Sequence, residues 1–100
     1  MLMELYDRLY DETEKVNVQF IGITTENSRY DFGIVYTNLF FGKPLVTCMQ
    51  SGRSLLLSRE DLDDSEYLKK LFSVNSEKDE EQLTAFFKSA LPLTTLENQY

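Results

Sequence analysis

Four short, mostly apolar segments follow one another between residues 16 and 57, and the connections between them are too short to contain a helix. Parallel strands need a crossover connection of about a dozen residues or more, whereas antiparallel strands are joined by tight turns. The spacing therefore predicts a four-stranded antiparallel meander. Turn-forming sequences separate the segments at residues 25–28, at 41–44 with Pro44, and at Ser51 and Gly52, which predict a two-residue hairpin turn.

The second segment, residues 29–37, shows the clearest alternation of a strand. Its apolar face carries Tyr30, Phe32, Ile34 and Tyr36. Gly33 within it indicates a bulge or a close neighbour. In the first segment, Val16, Val18 and Phe20 are predicted to share one face. The reverse face of the sheet would then expose both polar and apolar side chains, namely Asn17, Gln19, Arg29, Asp31, Thr37, Ile21, Ile23 and Val35.

Helical patterns flank the sheet. Ser58 and Ser76 are predicted to cap two helices within residues 58–91, because serine accepts hydrogen bonds from the free amides of a first turn. The second of these helices has the cleanest apolar stripe, made of Leu83, Phe86, Phe87, Ala90 and Leu91. A short N-terminal helix is predicted over residues 1–12 from the spacing of Leu2, Leu5, Tyr6 and Leu9, and residues 93–100 are predicted to form a tail.

These patterns predict one α+β domain over residues 1–100. It would have two layers, with the sheet of residues 16–57 covered on one face by the C-terminal helix pair. The N-terminal helix or a second subunit would cover the apolar part of the other face. The chain has 100 residues and a net charge of −7, which disfavours nucleic-acid binding. It lacks a long apolar run and a secretory leader pattern, so we expect a cytoplasmic protein without a membrane partner.

The chain contains no histidine and one cysteine, Cys48. Histidine is the commonest general base and metal ligand, so a Ser-His-Asp triad, a Cys-His pair and a His-containing zinc site are excluded within one chain. A single cysteine also excludes a Cys-x-x-Cys redox pair. We therefore predict a non-enzymatic protein without a catalytic, cofactor or metal site.

Two groups of residues are candidates for binding. Arg29, Arg53 and Gly52 are predicted to lie at one end of the sheet, where a glycine-containing turn beside arginine can hold an anion. The chain also has 13% aromatic residues, more than a small core readily absorbs, and aromatic side chains are common at protein interfaces. The predicted interaction surface consists of Tyr30, Tyr36, Phe40 and Phe41.

A series of short strings runs through most of the chain: Leu5-Tyr6-Asp7, then 18–22, 29–32, 34–37, 41–43 and 50–53. With these strings the chain resembles a family of small proteins from Gram-positive bacteria that is classed as a domain of unknown function. The resemblance implies a bacterial, cytoplasmic protein of compact α+β form. It implies no activity, cofactor or functional residue.

Two functional hypotheses follow from the sequence. The first is a protein–protein interaction or regulatory module that self-associates, as a homodimer for example, through the sheet surface or the N-terminal helix. The second is a domain that binds a small anion or a phosphorylated metabolite through Arg29, Arg53 and the amides of the neighbouring turn.

Overall fold

A computed structural model describes residues 5–63, 68, 74 and 76–91. It confirms an α+β protein with a four-stranded antiparallel sheet and a C-terminal helix. The elements are strands β1 (Asn17–Thr24), β2 (Arg29–Tyr36), β3 (Leu45–Cys48) and β4 (Ser54–Leu56), helix α1 (Glu77–Ala90), and two 3₁₀ turns, Phe40–Gly42 and Arg59–Asp63.

The sheet is a meander in which each strand pairs with the next one along the chain. β1 and β2 pair without interruption over eight residues, from Asn17 opposite Tyr36 to Thr24 opposite Arg29. The connection between β3 and β4 differs from the predicted two-residue turn. Four residues, 49–52, loop between Cys48 and Arg53, and the Cys48 amide donates to the Arg53 carbonyl at 2.9 Å. Gly52 provides the left-handed backbone that closes this loop, with φ of 72°.

The core lies between one face of the sheet and α1. Ser76 caps the helix as predicted, since its hydroxyl accepts a hydrogen bond from the Asp79 amide at 3.1 Å. The Phe32 and Phe87 rings meet edge to face with centroids 4.9 Å apart. The buried apolar side chains that form this core are Tyr30, Phe32, Ile34, Val46, Cys48, Leu57, Leu62, Leu68, Val74, Leu83, Phe87 and Leu91.

A buried polar contact fastens the helix to the sheet. The Tyr30 hydroxyl donates to Asp79 Oδ2 at 2.9 Å, across 49 positions of the chain. Both side chains are buried, and Asp79 Oδ1 has no hydrogen-bond partner in the described structure. Because a buried carboxylate is unfavourable unless it is hydrogen-bonded, this contact fixes the start of α1 over β2.

The prediction for the faces of β1 was wrong. Ile21 and Ile23 pack against the core, whereas Val18 and Phe20 point to the opposite side. The register is the reason: Ile21 lies opposite Phe32, and residues directly opposite each other project to the same face. The β1 sequence does not alternate after Phe20, so its own pattern could not fix the face.

The structure does not show the two other predicted helices, namely the N-terminal helix over residues 1–12 and the helix predicted to be capped by Ser58. Residues 5–16 contain no helix, residues 1–4 lie outside the described part of the chain, and Leu5 and Leu9 are more than nine-tenths exposed. An apolar stripe on so short a segment does not hold a helix without a surface to bury it. Ser58 begins the 3₁₀ turn Arg59–Asp63, and Leu68 is helical and buried. The rest of the first predicted helix and the tail over 93–100 lie outside the described residues.

Candidate interaction surface

The face of the sheet opposite the helix carries apolar side chains from all four strands. Phe20 is 74% exposed, and Val18 and Met49 are about half exposed. One row of this face follows the register across the whole sheet, from Val18 to Val35, Leu45 and Leu56. We call this surface the open face; it consists of Val18, Phe20, Val35, Leu45, Met49 and Leu56.

Gly33 allows two side chains of the open face to lie across the centre of β2. A Cβ atom at Gly33 would lie 3.1 Å from Met49 Cε and 3.3 Å from Phe20 Cε1. The pairing with β1 continues unbroken through Gly33, so the glycine marks a close neighbour and not a bulge. An aromatic ring over a strand glycine is a known way of covering exposed backbone.

A polar network borders the open face at the β1–β2 turn. Arg29 forms an ion pair with Asp31 at 3.1 Å, and the Gln50 amide donates to the other carboxylate oxygen at 2.7 Å. Gln50 Oε1 in turn accepts from the Asp31 backbone amide at 2.8 Å. The hydrogen bonds from Arg29 and then Gln50 lower the pKa of Asp31.

The residues predicted to hold an anion do lie near one end of the sheet, but their donors have other partners. The Arg29 guanidinium donates to Asp31 through both Nε and Nη2. The Gly52 amide donates to the Cys48 carbonyl at 2.8 Å, and the Arg53 amide donates to Ser51 Oγ at 3.3 Å. This geometry does not favour the anion-binding hypothesis.

The four aromatic residues predicted as an interaction surface are separated by the fold. Tyr30 is 3% exposed and belongs to the core. Tyr36 is half-buried, its hydroxyl donates to Gln19 at 2.7 Å, and burial raises its pKa. Only Phe40 and Phe41 are exposed, at 47% and 89%. Of the four predicted residues, only Phe40 and Phe41 therefore form exposed aromatic surface.

Phe40 and Phe41 sit in an unusual backbone conformation. Their φ angles are 54° and 63°, and that of Gly42 is 75°, so three consecutive residues adopt left-handed geometry. Hydrogen bonds from Gly42 to Leu39 and from Lys43 to Phe40 close the turn. Left-handed backbone costs a residue with a side chain roughly 1–2 kcal/mol. Nothing in the pattern Phe-Phe-Gly indicates this conformation beyond the glycine itself.

This turn and the N-terminal segment border a solvent-exposed, open cavity of about 350 Å³. Glu14 fixes their relative position, because its carboxylate accepts hydrogen bonds from the Thr37 hydroxyl and, at 2.8 Å, from the Asn38 amide. The hydrogen bonds from Thr37 and then Asn38 lower the pKa of Glu14. The lining residues are Tyr10, Glu12, Leu39, Phe40 and Phe41.

β1 forms one edge of the sheet in the part of the chain that the structure describes. Its eight residues, Asn17–Thr24, include no charged residue and no proline. Natural proteins usually protect an edge strand with lysine, proline or a bulge, because its outward backbone groups can pair with another chain. β1 has none of these protections and is mostly exposed.

A family model described as SAV0927-like matches residues 9–89. The chain belongs to the SAV0927-like family. This result agrees with the resemblance to a family without assigned activity, and an origin in Gram-positive bacteria stays a prediction. A search of curated proteins found no match to the chain.

For this family member, the described residues include no group of three or more acidic or cysteine side chains that could hold a metal ion. No helix among them is long and apolar enough to cross a membrane. Cys48 is fully buried on β3, with its sulfur 3.7 Å from Gln50 Oε1. The features that sequence reasoning missed are the open-face position of Phe20 and the cavity beside Phe41. Neither follows from a local pattern, because a period-two count from Tyr30 back across the turn would place Phe20 on the core face.

Proposed function

We propose that this protein is a non-enzymatic interaction module that associates with a second copy of itself along β1. The observation that carries the proposal is an uncharged, unprotected edge strand that continues into the exposed apolar open face. Exposed apolar surface next to free backbone donors and acceptors is the combination used when one chain adds a strand to the sheet of another. The absence of histidine from the chain supports a role other than catalysis.

The chemistry of β1 favours a second copy as the partner. Opposite residues of an antiparallel pair project to the same face, and like charges placed opposite each other are destabilising. Since none of the residues in Asn17–Thr24 is charged, β1 can pair with itself without such repulsion. The full chain carries a net charge of −7, so two copies would repel each other at many other surfaces.

A two-fold axis perpendicular to the sheet at Phe20 gives a consistent arrangement. It sets Phe20 opposite the Phe20 of the second copy, and Val18 opposite Gly22. Both open faces then lie on the same side and form one apolar surface across eight strands. A ribbon of seven residue pairs is about 24 Å long, and both copies contribute the same patch, as a closed two-fold contact requires.

Sedimentation velocity of the full chain tests the proposal. We expect the wild type to dimerise with rising concentration. Phe20→Lys should sediment as a monomer, because it places two ammonium groups opposite each other at the axis. Ala85→Lys introduces the same charge at an exposed position on α1 and should dimerise like the wild type. A wild type that stays monomeric at high micromolar concentration, or a Phe20→Lys variant that dimerises normally, would contradict the proposal.

A further inference from the structure

We propose that the cavity between the N-terminal segment and the Phe40–Gly42 turn binds a small molecule that carries a quaternary ammonium group. The site is separate from β1 and its proposed contact. Three of its five lining side chains are aromatic (Tyr10, Phe40 and Phe41), and a fourth is the carboxylate of Glu12.

The lining matches the chemistry of an organic cation. The face of an aromatic ring attracts a cation through its quadrupole, and cages of several rings are the usual binding sites for quaternary ammonium ligands. Glu12 is the only charged residue of the lining, so the local charge is negative. The chain as a whole is also acidic, which raises the local concentration of cations.

A fully methylated ammonium fits this lining better than a primary one. A primary ammonium has three donors, and among the lining side chains only the Glu12 carboxylate and the Tyr10 hydroxyl could accept from them. The Leu39 and Phe40 carbonyls already accept hydrogen bonds from Gly42 and Lys43 within the turn. Methyl groups need no acceptor and can contact Leu39 and the rings directly.

The backbone of the turn supports a binding role. Phe40 and Phe41 both have left-handed geometry, although glycine or asparagine would adopt it more easily. Strained residues of this kind concentrate at binding sites, where the surrounding structure maintains them. Here the strained turn exposes 89% of Phe41 beside the cavity without burying the ring in the core.

The site is also held in place before any ligand arrives. Glu14 accepts hydrogen bonds from Thr37 and Asn38, which anchors the chain two residues after Glu12 next to the start of the turn that carries the two phenylalanines. A preformed site loses less entropy on binding. The volume of about 350 Å³ is at the lower end of the range for ligand pockets, which suits a small molecule with a trimethylammonium group.

The experiment compares ligands of the same shape and different charge. Choline and 3,3-dimethylbutan-1-ol differ only in a quaternary nitrogen in place of a quaternary carbon. Each is titrated into the full chain, and the amide signals of Phe40, Phe41 and Gly42 are followed by NMR. We expect choline to bind about tenfold more tightly than the neutral alcohol, from the sum of several cation–π contacts. Ethanolamine and glycine betaine should bind more weakly than choline, because the first needs acceptors and the second brings a carboxylate near Glu12.

Variants locate the site on the chain. Phe41→Leu keeps an apolar side chain but removes one ring, and Glu12→Gln removes the charge; each should weaken choline binding several-fold. Tyr6→Leu removes an exposed ring outside the cavity and should leave the affinity unchanged. Equal binding of choline and the alcohol, or full affinity in Phe41→Leu, would overturn the proposal. Repeating the titration in Phe20→Lys separates this outcome from that of self-association.

Discussion

Replacing Tyr30 with phenylalanine removes a single hydroxyl group from the interior of the protein. That hydroxyl donates to Asp79 Oδ2 at 2.9 Å, and both residues are buried. Asp79 Oδ1 already lacks a hydrogen-bond partner in the described structure. The Tyr30→Phe variant would therefore leave both oxygens of a buried carboxylate without a side-chain donor.

The magnitude follows from the burial of the pair. A hydrogen bond to a charged group contributes about 1.5–3 kcal/mol, and removing one partner exposes the full desolvation penalty of the other. We expect Tyr30→Phe to lower the free energy of unfolding by about 2–3 kcal/mol. For a domain of this length such a change lowers the melting temperature by roughly 10 °C or more.

Urea unfolding at neutral pH, followed by far-ultraviolet circular dichroism, measures the effect. Tyr36→Phe is the matched control, since the Tyr36 hydroxyl also donates to a side chain, Gln19, but lies in a half-exposed position. We expect it to change the free energy of unfolding by less than about 1 kcal/mol. The double variant Tyr30→Phe/Asp79→Leu should recover stability relative to Tyr30→Phe, because no unpaired carboxylate is left inside. Equal effects of Tyr30→Phe and Tyr36→Phe would refute the reasoning.

Two further predictions concern the cavity and the β3–β4 loop. Because the pKa of Glu14 is lowered, its hydrogen bonds contribute their full stability above the ordinary pKa of 4.5, and this contribution is lost as the pH falls through the lowered pKa. The NMR signal of the Asn38 amide should report that transition in the wild type and not in Glu14→Gln. Gly52→Ala adds a Cβ atom to a residue with φ of 72°, and this atom would have no neighbour within 4 Å. Calorimetry should therefore show a loss of about 1 kcal/mol in the free energy of unfolding, caused by backbone strain alone. Gly52→Asn should lose less, and an equal loss would contradict the strain explanation.

The sheet and the last helix could be predicted because their signals are local. Short connections allowed only antiparallel pairing, and Ser76 together with the stripe through Leu83 and Phe87 marked α1. These features depend on spacing and capping within a few residues. The structure confirms the order of the four strands and the position of α1.

The parts that could not be predicted depend on distant contacts. The face of Phe20 is set by its pairing with Gly33, thirteen positions along the chain, and not by the pattern of β1 itself. The N-terminal stripe of Leu5, Tyr6 and Leu9 resembles a helix face but meets no surface that buries it. The left-handed turn at Phe40 and Phe41 runs against residue preference, so propensity predicts the opposite. The cavity depends on that turn, so the sequence could not predict it either.

The complete burial of Cys48 gives the protein an internal reporter of its own opening. It is the only thiol of the chain and lies on a strand with neighbours on both sides. A thiol reagent can reach the sulfur only when β3 separates from its surroundings. The rate of alkylation therefore measures how often β3 opens under native conditions. A ligand that binds to the native protein should slow the alkylation in proportion to the fraction of protein that is bound, which gives a binding assay that needs neither denaturant nor an added label.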